Sequence, residues 1–144
     1  MKLTQKKSND FLIFFINMNN LYNFLDNKNT FGVIGATINK EKYGYKVFKS
    51  LIASGYTVYP INPNYKKIDD TTCYPSLNNV NKKIDVVVTV VPPDVTLNII
   101  EEMNNLKIKK LWMQVGSESD EAIEICKQYN IDEIHGTCIM LNKK

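Results

Sequence analysis

The sequence predicts a doubly wound α/β domain, with a mainly parallel sheet of about five strands and helices on both faces. Short β-branched runs alternate with segments whose apolar residues recur at helical spacing. One run, Asp85–Val91, is apolar almost throughout, which indicates a central strand that is covered on both faces. The stretch Thr30–Ser50 has the pattern of a strand, a turn of small residues and a helix. We therefore expect right-handed strand–helix–strand units.

The elements follow one another with short connections. The predicted strands lie at Phe31–Ile34, Thr57–Ile61, Asp85–Val91, Lys110–Val115 and Glu133–Ile134. The predicted helices carry their apolar residues in Leu21–Leu25, Val47–Ile52, Val95–Leu106 and Ala122–Tyr129. Ser54-Gly55 ends the second helix, and Pro92-Pro93 ends the strand before the third. The polar segment Lys66–Val80 is expected to form a loop with a small strand near Cys73-Tyr74 and a helical turn after Pro75.

Length and composition fit one globular domain. The chain has 144 residues, 44% of them hydrophobic, which suffices for one core and leaves no room for a second large domain. All 18 basic residues are lysines interleaved with acids, and the net charge is only +3, so nucleic-acid binding is not expected. Three cysteines without a C-x-x-C pair give neither a disulfide framework nor a zinc pattern, which favours a reducing cytoplasm.

Residues 1–17 are expected to form a disordered or loosely packed extension, and residues 18–144 the single domain. Lysines precede the apolar run Phe11–Ile16, as in a secretion signal, but the run is shorter than the roughly 7 to 15 residues that such a signal needs. It is also too short to cross a membrane, so no membrane partner is expected. Met18 is an alternative natural start.

Ligands of open parallel sheets bind over the carboxyl ends of the strands, where the strand order reverses. Four predicted segments meet there: Gly35–Gly44, Asn62–Asn64, Val91–Pro93 and Gln114–Ser117. The first has small residues that let a ligand approach the backbone, and the helix after it directs N–H groups to the same place. Lys40, Lys42 and Lys46 surround this turn, although each taken singly is more often a solvated surface residue. The sequence therefore predicts an anionic ligand.

The signatures of two common nucleotide sites are missing. Gly32–Ala36 does not give G-x-G-x-x-G, and the second strand ends without an acid to hold an adenosine ribose, which argues against NAD. Neither Gly-Lys-Ser nor Gly-Lys-Thr occurs, so a Walker loop and ATP hydrolysis are not expected.

Several motifs between Phe31 and Ile139 resemble those of a known family. They are GVIGAT, YGYKVFKSLIASGYTVYPINPNY, IDVVVTVVPP, LWMQVGSES and the closing Thr137-Cys138. In this order and spacing they are similar to the small single-domain CoA-binding proteins, which have a Rossmann-like sheet related to the CoA-binding domain of the succinyl-CoA synthetase α subunit. The resemblance implies CoA or an acyl-CoA as the ligand.

The resemblance also implies roles for particular residues. It brings Gly35-Ala36-Thr37 to the CoA diphosphate, Asn62-Pro63 beside the nucleotide and Val91-Pro92-Pro93 against adenine. With the lysine and amide contacts expected from position, the predicted binding residues are Gly35, Ala36, Thr37, Lys42, Tyr43, Gly44, Asn62, Pro63, Val91, Pro92, Pro93, Gln114 and Gly116. Many relatives carry arginine after the fourth strand and near the end of the chain. This sequence contains none, so weaker phosphate binding through amides and lysines is expected.

No catalytic residue is expected. His135 is the only histidine and has no nearby nucleophile except Cys138, so a surface or structural role is the better interpretation. Cys138 is interpreted as a packing residue, with a mixed disulfide to the CoA thiol as the alternative. The acids at Asp69-Asp70 and Glu118–Glu121 are interpreted as loop and helix-start residues, without a metal.

The leading hypothesis is a module that binds CoA or an acyl-CoA without catalysis of its own. Two alternatives stay open: a regulatory or protein-interaction module with a weak or vestigial nucleotide pocket, and a thioester-processing enzyme that uses Cys138. A homodimer or an unidentified protein partner is compatible with each of them. We also expect that Gly35→Val blocks the path of a phosphate and abolishes binding while the domain stays folded.

Overall fold

The computed structural model describes residues 20–143. Its strands are β1 (Thr30–Ile34), β2 (Thr57–Ile61), β3 (Lys67–Ile68), β4 (Thr71–Thr72), β5 (Val86–Thr89), β6 (Lys110–Met113) and β7 (Asp132–Ile134). Its helices are α1 (described over residues 20–25), α2 (Tyr43–Ala53), α3 (Pro93–Leu106), α4 (Asp120–Gln128) and α5 (Ile139–Asn142), with a 3₁₀ turn at Leu77–Asn79. The predicted extension at residues 1–17 and the alternative start at Met18 lie outside the described residues. None of the described helices is long and apolar enough to cross a membrane.

Five strands form one parallel sheet in the order β2-β1-β5-β6-β7. The order reverses between β1 and β5, because the chain first adds β2 on one side of β1 and then returns to add β5 on the other. Pro60 lies in β2, an outer strand of this sheet, where its missing N–H costs least. The predicted doubly wound α/β fold with a parallel sheet of five strands is confirmed.

Side chains alternate between two cores, one on each face of the sheet. On one face, Phe31 and Val88 pack with α1, α2 and α5; on the other, Ile34 and Val87 pack with α3 and α4. Strand β5 therefore contributes to both cores, which explains its continuous apolar sequence. Trp112 of β6 is buried in the first core, where its ring meets Phe24 edge to face at 6.1 Å.

Two short elements were not predicted. Strands β3 and β4 form an antiparallel hairpin, and the strand expected near Cys73 is reduced to a single bridge between Ile61 and Tyr74. Helix α5 has four residues, too few for an apolar periodicity to show in the sequence. The helical turn expected after Pro75 is present as the 3₁₀ turn.

Helix α2 approaches the end of β1 very closely at two glycines. A Cβ atom built on Gly44 would lie 2.1 Å from the carbonyl oxygen of Gly35, so only glycine fits there. The helix then buries Val47, Phe48 and Leu51 against the sheet. This contact fixes the amino end of α2 beside the turn that follows β1.

The Ser117 hydroxyl ties the chain after β6 to the chain after β5. Its oxygen accepts the Val91 N–H at 3.0 Å and lies 2.7 Å from the Val91 carbonyl oxygen and 3.0 Å from that of Thr89. Because a hydroxyl has one hydrogen, it donates to one of these carbonyls at a time. The side chain is buried, with 2% exposed, and it holds residues 89–91 in place.

Gly44→Ala is expected to lower the free energy of unfolding by about 1–3 kcal/mol, because the new methyl group meets a backbone oxygen that cannot rotate away. Helix propensity alone predicts the opposite sign, a gain of about 0.8–1 kcal/mol. Urea denaturation measures the difference. Gly32→Ala is the control, since its Cβ would meet only the side-chain ends of Ile84 and Ile61, at 3.1 and 3.2 Å. Equal stability of Gly44→Ala and the wild type contradicts the close approach.

Ser117→Ala is expected to cost about 1–3 kcal/mol, because the half-buried Val91 N–H and its carbonyl lose their partner. Ser76→Ala is the matched control: its hydroxyl bonds Asn79 Oδ1 at 2.6 Å on the surface, where water replaces it. The same denaturation assay applies. A loss no larger than that of Ser76→Ala shows that Ser117 does not hold this edge of the sheet.

Candidate functional site

The four segments predicted from the sequence follow β1, β2, β5 and β6, so they share the carboxyl edge of the parallel sheet. Contacts link them in series. The Asn62 side chain bonds the Ala36 carbonyl, the Gly35 backbone contacts residues 90–91, and Ser117 bonds Val91. The structure therefore brings the predicted site segments together at the point where the strand order reverses.

Gly35 turns the chain away from β1 in a conformation that favours glycine, with φ at 90°. A Cβ atom built on it would lie 2.3 Å from the Val90 carbonyl oxygen and 2.8 Å from Val91 Cγ1. The expectation that Gly35→Val leaves the domain folded is therefore wrong. The missing side chain makes room for the backbone after β5, so a valine here disrupts the fold as well as any ligand site.

The residues after Gly35 are held by the chain that follows β2. Asn62 Nδ2 donates to the Ala36 carbonyl oxygen at 2.8 Å, and the Tyr65 hydroxyl lies 3.2 Å from Thr37 Oγ1. Ala36 and Thr37 are buried, so this turn is packed against the protein as well as bonded to the chain after β2. Sequence reasoning included Asn62 but missed Tyr65. The sequence N-P-N-Y could have indicated Tyr65, because this residue closely follows a strand that ends at the same edge of the sheet.

Helix α2 presents a free amino end to this turn. Its N-cap residue Lys42 makes no side-chain capping bond, and its first turn contains no acid. Lys40, Lys42 and Lys46 are exposed around it, against a single acid, Glu41, in residues 35–46. Lys46 Nζ also lies 5.5 Å from the centre of the Tyr43 ring. Amide groups, helix dipole and lysines make this end attractive to an anion.

The other two long helices that begin at this edge differ from α2. Helix α3 carries Asp94 in its first turn, although its N-cap Pro92 also lacks a side-chain bond. Helix α4 is capped by Ser119, whose hydroxyl accepts the Ala122 N–H at 3.0 Å, and it has two acids in its first turn. Acidic side chains already complement these dipoles, which leaves α2 as the best anion site of the three.

Gln114 lies at the predicted edge, but its side chain has partners within the protein. Its Nε2 donates to Cys138 Sγ at 3.1 Å, and its Oε1 accepts the Ile139 N–H at 2.8 Å. Gln114 is 5% exposed, and these bonds fix the beginning of α5. Nearby, the Gly116 N–H donates to the Glu118 carboxylate at 3.1 Å. Direct ligand contacts of Gln114 and Gly116 stay predictions.

The cysteines and the histidine have ordinary structural partners. Cys73 and Cys126 are buried, and burial raises the pKa of the Cys126 thiol to about 12. Half-buried Cys138 accepts its hydrogen bond from an amide, which is not a base. His135 Nδ1 lies 2.6 Å from Glu133 Oε2. Within residues 20–143, no group of three or more His, Cys, Asp or Glu residues could hold a metal ion.

The β3–β4 hairpin is attached to the outer side of α2 by one carboxylate. Asp69 bonds Lys49 Nζ and the Tyr45 hydroxyl, each at 2.9 Å. The Lys49 ammonium, followed by the Tyr45 hydroxyl, lowers the pKa of Asp69. The acid therefore neutralises a lysine of α2 and anchors the chain that carries Asn62 and Tyr65.

Two surface cavities, of about 370 and 670 Å³, lie beside α1. The first is lined by residues that include Glu133 and His135, and the second by residues that include Asp26 and Tyr56. None of the four predicted segments lines either cavity. The candidate site lies apart from both cavities and is formed by loops and the end of α2.

Comparisons with known proteins identify relatives of this chain. The chain is 36% identical over 115 residues to an ADP-forming acetate–CoA ligase of Methanocaldococcus jannaschii, covering 74% of this chain and 16% of the ligase. It is 25% identical over 130 residues to the α subunit of ADP-forming acetate–CoA ligase II of Pyrococcus furiosus, covering 83% of this chain and 28% of that subunit. The chain thus spans less than a third of the length of either protein.

A small solved structure is similar over nearly its whole length. It is a conserved hypothetical protein of Pyrococcus furiosus, Pfu-723267-001, with a TM-score of 0.77 and 37% identity. The match covers 80% of this chain and 99% of that one. The model of the CoA binding domain matches residues 29–144, which include every strand of the sheet and all four edge segments. The chain therefore belongs to the CoA-binding domain family.

Proposed function

We propose that this chain binds CoA or an acyl-CoA across the carboxyl edge of its sheet, with the diphosphate at the turn after β1. The free amino end of α2 supports this most directly, because it combines uncapped amides, no first-turn acid and three nearby lysines. Gly35, Ala36 and Thr37 lead the backbone past this end. Family membership supports CoA as the class of ligand, and the geometry fits its anionic part.

The remaining predicted contacts fit the other parts of a nucleotide. Val91-Pro92-Pro93 offers a largely apolar surface for adenine, and Ser117 holds its first residue. Asn62 and the exposed Pro63 lie on the opposite side of the turn after β1, beside the nucleotide. A ligand held in this way spans the strand reversal between β1 and β5, where open parallel sheets commonly bind nucleotides.

We assign binding to this chain and no catalysis of its own. The two relatives described above are named as ligases, but the chain corresponds to 16% of one and 28% of the other. Its Cys138 thiol is bonded by Gln114, whose amide cannot remove a proton, and His135 is paired with Glu133. A packing role for Cys138 accounts for these contacts better than thioester chemistry.

We also propose a protein partner as a second feature of this chain. One relative is by name the α subunit of a ligase. Sedimentation with and without CoA distinguishes a homodimer from a monomer that needs a different partner.

Isothermal titration with CoA, acetyl-CoA, NAD and ATP tests the proposed ligand. CoA and acetyl-CoA are expected to bind. NAD and ATP are not, because the sequence has neither the acid that holds the NAD ribose nor a Walker loop for ATP. Native mass spectrometry of freshly purified protein adds the identity of any ligand that co-purifies. Binding of NAD without any binding of CoA refutes the proposal.

Lys42→Gln and Lys46→Gln are each expected to weaken CoA binding about two- to fivefold at low salt. This is the effect expected when one favourable charge is removed near a helix end. The difference in CoA affinity between each variant and the wild type should shrink as the salt concentration rises, because salt screens the lysine–phosphate attraction in the wild type. Lys127→Gln, at the far end of α4, is the matched control. Equal affinities of all three variants at low salt contradict a phosphate site at α2.

A further inference from the structure

The Tyr65 hydroxyl reaches from the chain after β2 to the turn after β1, where it lies 3.2 Å from Thr37 Oγ1. The Tyr65 ring packs against the core on the α2 face, so its direction is fixed by burial of the ring. Thr37 is 8% exposed, and its hydroxyl oxygen also accepts the Asn39 N–H at 3.2 Å. Two groups of the protein therefore meet one hydroxyl beside the amino end of α2.

Donor and acceptor counts decide what that hydroxyl can do. A threonine hydroxyl has two acceptor positions and one hydrogen, and Asn39 occupies the first acceptor position. The 3.2 Å pair of hydroxyls allows either group to donate, and we assign Tyr65 as the donor because a phenolic O–H is more acidic than an aliphatic one. Tyr65 then fills the second acceptor position of Thr37. The Thr37 hydrogen is then left for an acceptor outside this network, and a phosphate oxygen is the acceptor that the α2 end attracts.

We infer that Tyr65 is a positioning residue for the diphosphate of CoA, acting through the Thr37 hydroxyl. This inference rests on the proposed function. By filling the remaining acceptor position, Tyr65 keeps the Thr37 hydrogen directed to the ligand. The Asn62 bond to the Ala36 carbonyl holds the adjoining backbone, so the chain after β2 orders the turn at two consecutive residues.

Tyr65→Phe keeps the packed ring and removes only the hydroxyl. It is expected to weaken CoA binding about three- to tenfold, the usual effect of one hydrogen bond. Tyr56→Phe is the matched control, since its hydroxyl donates to the Leu25 carbonyl at 2.7 Å on a different part of the molecule. Titration gives the affinities, and thermal unfolding gives the stability of each variant. The control is expected to bind CoA as the wild type does.

A double-mutant cycle separates positioning from a general structural effect. Thr37→Val removes the hydroxyl through which Tyr65 acts, so adding Tyr65→Phe to it should weaken CoA binding no further. Thr37→Ser keeps the hydroxyl and should bind within about twofold of the wild type. A Thr37→Ser protein as weak as Thr37→Val overturns the inference, even where Tyr65→Phe fails to fold.

The two levels of the proposal fail differently. A folded wild-type protein that does not bind CoA refutes the proposed function, and the role of Tyr65 with it. Wild-type binding that Tyr65→Phe leaves unchanged refutes the role of Tyr65 alone. The same is true when Tyr65→Phe weakens CoA binding equally with and without the Thr37 hydroxyl.

Discussion

The close approach of α2 to the end of β1 is the constraint on which the site depends. Gly44 lies against the Gly35 carbonyl, and Gly35 lies against the backbone of Val90, so a helix, a turn and the central strand are packed without intervening side chains. Packing at this density leaves little freedom in how the turn leaves the sheet. The amino end of α2 is therefore aimed at the strand reversal by backbone contacts.

The same constraint explains why the proposed phosphate site would need few dedicated side chains. Once α2 is fixed, its first amides and its dipole are directed at the edge of the sheet. Lysines around the turn add charge, while the acids near the starts of α3 and α4 bias an anion away from those helices. The preference of an anion for α2 thus depends on the acids at the starts of α3 and α4 as much as on the positions of the lysines.

Local patterns predicted most of the fold, because each strand and long helix has its own hydrophobic period. They could not predict the β3–β4 hairpin or α5, which are too short to show one. They also missed Tyr65 and the role of Ser117, whose bonds join residues 28 and 26 positions apart and leave no periodic trace. Gln114 was placed at the correct edge, yet its partners, Cys138 and Ile139, were visible only in three dimensions.

Because the sequence contains no arginine, the proposed site would depend on backbone groups more than on side chains to recognise a phosphate. An arginine can bind a phosphate with two parallel hydrogen bonds, whereas a lysine acts as a mobile point charge. In the proposed site the directional donors near the turn would be backbone amides and the Thr37 hydroxyl, and these are useful only if the turn is rigid. The bonds from Asn62 and Tyr65 supply that rigidity from a neighbouring strand. In such a site the rigid turn would orient the ligand, and the lysines would supply the positive charge. Because salt screens the lysine charges and leaves the turn unchanged, salt should affect the affinity for the ligand more than the orientation of the ligand.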